Sequence, residues 1–125
     1  MNFPAGLKYN KTHEWVKDLG NGLFEVGLSD FAQKELGDIV YVNLPQEGDE
    51  LKAGTSLGDI ESVKAVSDII SPVSGTVKEV NDAVVSSPGS INKAPYESWL
   101  IRAEGSVMAE LLSAGDYEAT LTNQH

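Results

Sequence analysis

The 125-residue sequence contains no cysteine and only two histidines, His13 and His125, the second at the very end. Without thiols the chain has no disulfide, no thiolate metal site and no thiol redox chemistry of its own. Two such distant histidines supply poorly either a zinc site or a Ser-His-Asp arrangement. Any redox or acyl chemistry would have to be carried by an imported group. Long apolar runs are missing too, none approaching the roughly 18 residues that span a bilayer. The start, Met1-Asn-Phe-Pro-Ala-Gly-Leu-Lys8, has neither the charged-then-apolar layout of a secretory signal nor the Arg-rich amphipathic character of a transit peptide. The expectation is a protein that stays where it is made, most simply a bacterial cytoplasm. A mature mitochondrial form with a replaced start would look the same.

Basic side chains are scarce: nine face nineteen acidic ones, for a formal charge of −10. Such a surface repels phosphates, so neither nucleic acid nor an anionic membrane is expected as a partner. The excess serves solubility, or it steers the protein toward basic patches on other proteins. Charge alone does not separate these. Hydrophobic residues make up 41%, enough for one cored domain over residues 1–125, expected to be a monomer.

What is present is a series of short strand-like runs punctuated by glycine and proline, the pattern of an all-β sandwich or barrel with small helices. Leu7–Val16 and Leu23–Leu28 read as an opening hairpin around Asp18-Leu-Gly-Asn-Gly22. Ser29 reads as the cap of a helix over Asp30–Leu36 that Gly37 ends. Strands follow at Asp38–Leu44, near Leu51–Gly58, at Val66–Ile70 and at Thr76–Val80, with a turn at Ser71-Pro-Val-Ser-Gly75. A loop rich in Ser, Pro and Gly runs to Pro95, Trp99–Arg102 closes the sheet, and residues 106–121 read as a helical tail with Ser113 as a cap. Trp15 and Trp99 are expected in the core.

Within this layout Lys64 stands alone between small and β-branched residues, in Gly58-Asp-Ile-Glu-Ser-Val-Lys-Ala-Val-Ser-Asp68. Strand-like runs of nearly equal length flank it, so it reads as the tip of a hairpin. An enzyme bringing an activated acyl group needs only exposure and shape from such a lysine, and Val63 and Ala65 leave the turn unobstructed. The chain therefore reads as a carrier. An eight-carbon acid on that side chain would reach about 14 Å.

His13-Glu-Trp-Val16, Asp30-Phe-Ala-Gln33, Leu36-Gly-Asp-Ile-Val40, Leu44-Pro45, Gly48, Glu61-Ser-Val-Lys-Ala65, Ser67-Asp68, Ser71-Pro-Val-Ser-Gly75, Glu79-Val-Asn81, Ile91-Asn92, Pro95-Tyr96, Trp99-Leu-Ile101 and Tyr117 are similar to the H-protein family of the glycine cleavage system. The similarity spans nearly the full length. It implies a lipoyl/biotinyl-type barrel-sandwich hybrid, mainly β, with short helices including a C-terminal helical tail. It also implies a non-catalytic carrier with (R)-lipoate covalently bound at Lys64, Glu61, Val63 and Ala65 serving as recognition context for the lipoyl-attaching enzyme. The implied partners are a pyridoxal-phosphate glycine decarboxylase that loads an aminomethyl group, a tetrahydrofolate-dependent aminomethyltransferase that unloads it, and a dihydrolipoyl dehydrogenase. The loaded arm of such proteins can fold into a cleft, for which Glu14 and Asp68 match acidic positions of the family motifs.

Two departures stand out. Tyr96-Glu-Ser-Trp99 has Ser98 where many relatives have glycine, and Glu35 stands where some have histidine. Other carriers are a poorer match: lipoyl domains of 2-oxoacid dehydrogenases show Asp-Lys-Ala and biotinyl domains Met-Lys-Met, against Val63-Lys64-Ala65 here. A Schiff-base lysine would need a depressed pKa, which Glu61 and Asp68 nearby oppose. A relay of lipoyl groups to other complexes and an unmodified interaction module remain as alternatives.

Overall fold

The computed structural model describes residues 1–122; His125 and the end of the expected domain lie outside them. Nine strands run β1 Lys8–Tyr9, β2 Glu14–Gly20, β3 Leu23–Leu28, β4 Ile39–Asn43, β5 Glu50–Leu51, β6 Ser56–Ser62, β7 Val66–Ile70, β8 Val73–Val80 and β9 Ile101–Val107. Four helices accompany them: α1 Asp30–Leu36, α2 Asp82–Ser86, α3 Ser90–Lys93 and α4 Ala114–Thr122. All pairings are antiparallel, in a six-stranded sheet ordered β1-β2-β3-β9-β8-β5 and a three-stranded sheet ordered β4-β6-β7. This is the mainly β architecture with short helices and a C-terminal helix that the sequence led us to expect.

The sheets enclose an aliphatic core that includes Val26, Ile39, Val42, Ile60, Ile69, Val73, Val77 and Ile101. Each such side chain, fully buried, contributes on the order of 1.5–3 kcal/mol. A second cluster is aromatic: Tyr9, Trp15 and Tyr117 are completely buried, with Leu7 and Leu121 beside them. Tyr9 and Tyr117 stack at 4.7 Å between ring centroids. Trp15 pairs with Gly27 across β2 and β3, and its indole occupies the space over that glycine. A Cβ at Gly27 would lie 2.5 Å from the ring.

Several elements differ from the sequence expectation. Leu7–Val16 is two strands, because the chain reverses between Asn10 and His13, whose φ is +82°, and pairs Tyr9 with Trp15. The Asn21-Gly22 turn forms as expected, with both residues at positive φ. Helix α1 also matches: the Ser29 hydroxyl accepts from the Ala32 N–H at 3.2 Å, and Gly37 ends the helix.

The expected turn over Ser71–Gly75 is only a corner at Ser71-Pro72. There the Ser71 hydroxyl bonds both the carbonyl and the N–H of Val73, and β8 starts at once because Val73 and Val77 are core residues. The polar loop before Pro95 holds α2 and α3, each sinking one aliphatic side chain, Val84 or Ile91. The tail is helical only from Ala114, since β9 pairs with β8 as far as Val107. Trp99 meets the core expectation in part: it is half-buried and packs against the aromatic cluster, with the Arg102 guanidinium 4.0 Å over its ring. Ser98 is buried and donates to the Ser90 carbonyl at 3.0 Å, so the serine is accommodated.

Candidate functional site

Residues Val63, Lys64 and Ala65 form the connection between β6 and β7, and all three are exposed. The turn is held from its base. The buried Ser62 accepts at its hydroxyl from the N–H groups of Lys64 (3.3 Å) and Ala65 (3.1 Å), while its own N–H donates to the Ala65 carbonyl at 2.8 Å. A further bond, from the Val63 N–H to the Asp38 carbonyl at 3.0 Å, ties the tip to the junction of α1 and β4. Asn92 fixes that junction: its Oδ1 accepts from the Ile39 N–H at 2.9 Å and its Nδ2 donates to the Gly37 carbonyl at 2.9 Å. A tip with so many of its backbone groups satisfied presents Lys64 from a rigid base.

Gly37 has φ +74° and a further role beside the lysine. A Cβ there would lie 3.6 Å from the Lys64 Cε, ordinary van der Waals contact, so the chain at Gly37 forms a shelf along which the lysine stem runs. The preceding residue, Leu36, lines a cleft of about 130 Å³, room for roughly four water molecules. The cleft runs between β2, α1 and β7. Leu28, Ala32, Ile60 and Ile69 supply apolar surface, and Thr12, His13, Glu14 and Glu35 supply polar groups.

Glu14 lies deep in the wall, 1% exposed. The Thr12 hydroxyl donates to its Oε1 and the Ile70 N–H to its Oε2 at 3.2 Å. Burial pushes its carboxyl up to about 7, with these hydrogen bonds pulling the other way. The site is therefore poised to hold or release one proton near neutrality. Neighbouring His13 is pushed down by burial, against the opposing charge of Glu35. Its Nδ1 lies 2.8 Å from the Tyr117 hydroxyl, which also hydrogen-bonds the Ser29 hydroxyl at 2.8 Å.

The structure thus brings Glu14 and Asp68 to one cleft, beside the shelf that receives Lys64. Asp68 is at the rim and exposed; strand register sets it in a row with Asp59 and Asn43. Glu61 is outside the cleft, opposite Tyr41 and Val66. Sequence reasoning did not single out Thr12, His13, Ser62, Asn92 or Tyr117 as site residues. His13, Ser62, Asn92 and Tyr117 all lay inside the quoted resemblance without a role assigned, and Tyr117 reaches His13 from 104 residues away. Among the described residues no group of three or more His, Cys, Asp or Glu side chains is arranged to hold a metal. No helix among them is long and apolar enough to cross a membrane.

Comparison with known proteins gives a consistent result. The family model described as glycine cleavage H-protein matches residues 7–124. A glycine cleavage system H protein of Carboxydothermus hydrogenoformans is 51% identical, over 97% of this chain and 95% of its own length. One from Coprothermobacter proteolyticus is 53% identical over 94% and 96%, and a probable one from Thermoplasma acidophilum is 50% identical over 91% of each. The crystal structure of a glycine cleavage system H protein from Mycobacterium marinum superposes with a TM-score of 0.90 at 38% identity, covering 95% of this chain and 98% of that one.

Proposed function

Because the chain belongs to the glycine cleavage H-protein family, a family of carriers and not of enzymes, we propose that Lys64 is the residue that carries lipoate, in amide linkage through its Nζ. The observation that carries this reading is the exposed, backbone-clamped tip that displays a single lysine. The residues fit such a group. The amine is accessible, its neighbours Val63 and Ala65 are small or exposed, and the stem runs beside Gly37, the residue after Leu36 of a partly apolar cleft.

Lipoate bound there would supply a dithiolane able to accept a substrate fragment and a pair of electrons, chemistry that a chain without cysteine lacks. The protein's own part is positioning. Ser62 and Asp38 hold the tip, while the chain at Gly37 gives the stem a shelf. Leu28, Ile60 and Ile69 line the cleft with apolar surface, so an arm lying in it displaces water, which slows hydrolysis of a labile cargo. At neutral pH the Glu14 carboxyl can give up its proton when an ammonium group arrives and then pair with it. Asp68 and Glu35 add negative charge at the mouth, which attracts such a cation.

In this reading the cargo is the aminomethyl group, taken up at the glycine decarboxylase and delivered to the aminomethyltransferase, with reoxidation by dihydrolipoyl dehydrogenase. The protein works as a monomeric single domain in the compartment of that system, the cytoplasm of a bacterium. Intact mass of the protein from its native host, with peptide mapping across residues 61–68, tests the attachment. One lipoyl increment at Lys64 is expected, and an unmodified Lys64 in cells that lipoylate their other carriers would refute it. Glycine-dependent reduction of the arm by purified decarboxylase then tests the shuttle.

A further inference from the structure

We infer that Asn10 is a positioning residue of the cleft: its buried side-chain N–H is the donor kept for the Glu14 carboxylate, which it meets when that group ionises to receive a cationic cargo. The inference deepens, and rests on, the reading of the cleft as a shelter for an aminomethyl group.

The backbone sets the two side chains together. One step beyond the Tyr9–Trp15 pair of β1 and β2, the Asn10 N–H donates to the Glu14 carbonyl at 2.8 Å. The Asn10 carbonyl accepts from the His13 N–H at 2.8 Å. Asn10 therefore stands opposite Glu14, and directly opposed residues put their Cβ atoms on one face, roughly 5 Å apart. Both are buried, Asn10 at 4% exposure and Glu14 at 1%. With both backbone groups of Asn10 engaged, only its amide is free to turn.

The Nδ2 of that amide is buried without a hydrogen-bond partner. Folded proteins seldom leave such a donor unpaired, because nothing then offsets its lost hydration. Glu14 has room for it. The bonds from the Thr12 hydroxyl and the Ile70 N–H leave about two of the roughly four acceptor positions of an ionised carboxylate open. A protonated carboxyl offers less, since its O–H is itself a donor. Burial opposes ionisation of Glu14, while Thr12, Ile70 and Asn10 favour it. The unpaired donor thus belongs to the acid form of the site, and the paired donor to the carboxylate.

The other groups around Glu14 leave this task to neutral donors. His13, on the same turn, is pushed down by burial and brings no positive charge at neutrality. Tyr9 of β1 and Tyr117 of α4 are pushed up by burial and stay neutral. β3 sets only Leu28 opposite Glu14. Glu35 of α1 and Asp68 of β7 line the cleft, and their negative charge opposes another anion. Among the described residues that line the cleft there is no lysine or arginine. Until a cationic cargo arrives, hydrogen bonds alone hold the carboxylate.

The test is the titration of the Glu14 carboxyl, followed by carbon-13 NMR on the full chain without lipoate. Asn10→Leu removes the donor at similar volume and should raise the midpoint by about one unit. Asn10→Ala, which adds no bulk, should shift it the same way. Ser90→Ala removes another buried side-chain atom without a partner, on α3, and should leave the midpoint unmoved. A merely structural asparagine would change stability alike at every pH. Here the urea midpoint of Asn10→Leu should lie at or above wild type at pH 5, where an unpaired donor has gone. At pH 9 it should lie below, because the carboxylate has lost a partner. Protein loaded with glycine and the decarboxylase should release ammonia to water at pH 7 roughly threefold faster in Asn10→Leu, as a smaller fraction of Glu14 is ionised. A Glu14 midpoint unchanged or lowered in both Asn10 variants would overturn the inference, a lowered one by showing that the amide offers its oxygen to the protonated carboxyl. A raised midpoint with unaltered ammonia release would uphold the hold of Asn10 on Glu14 and instead refute the shelter reading.

Discussion

The tip at Lys64 and the cleft around Glu14 are built on opposite plans. The tip is exposed, and backbone hydrogen bonds plus one serine hold it. The cleft is sheltered, and side chains from distant segments hold it: Thr12 and Ile70 bond Glu14, while Tyr117 joins His13 to Ser29. The tip's chemistry depends on reach, and almost any small neighbour would serve. The cleft's chemistry depends on desolvation, so the identity and protonation of each lining group matter. A carrier of a labile cargo needs both, one to present it and one to shelter it.

The comparison breaks most sharply at Lys64. Lys64→Arg should abolish the lipoyl mass increment completely while changing stability by no more than about 0.5 kcal/mol, because the side chain is exposed. Intact mass and urea unfolding on the same sample check both halves.

Next in size is the pH response of the cleft. The Glu14 carboxyl sits at about 7 in the folded protein against an ordinary 4.5, so between these pH values the folded state holds more protons than the unfolded one. Stability must then fall as pH rises through that window, by about 3 kcal/mol from this one group. Glu14→Gln should remove that slope, leaving unfolding free energies at pH 5 and pH 7.5 closer together than in the wild type. A slope unchanged by the substitution would show that the carboxyl is ionised in the fold.

Ser62→Ala should cost about 1 kcal/mol, since two N–H groups at the tip lose their acceptor. Its larger signature should be faster amide exchange at Lys64 and Ala65, with the Glu14 titration unmoved. The smallest effect is expected at the mouth. Glu35→Gln removes the charge that partly offsets the effect of burial on His13, so the imidazole should titrate slightly lower, as an NMR pH series on that ring would show.

The two regions were also unequally legible. A hairpin tip is local, and strand-like runs on both sides of Lys64 sufficed to find it. The cap of α1 at Ser29 and the Asn21-Gly22 turn were readable for the same reason. The cleft is assembled from residues 12–14, 28–36 and 60–69, with Tyr117 bonded to His13, so only motif resemblance pointed to Glu14, Asp68 and Tyr117. The misplaced elements share one cause. Core demand overrode turn and loop composition, starting β8 at Val73 and burying Val84 and Ile91 through short helices. Trp99 sits at the edge of the core, packed against the aromatic cluster with Arg102 over its ring.

The hydroxyl of Tyr117 has a consequence for the order in which the molecule comes into being. Lys64 belongs to a sheet whose three strands all come from residues 39–70, so its pairings are local in sequence, the kind that form fast. The Ser29 N–H donates directly to the His13 carbonyl at 2.9 Å, but the bridge between their side chains waits for α4 and the hydroxyl of residue 117. During synthesis Lys64 therefore emerges ahead of the residue that makes this bridge. A chain stopped short of α4 would display its amine with the side chains behind the cleft still unlinked, a handle without a latch.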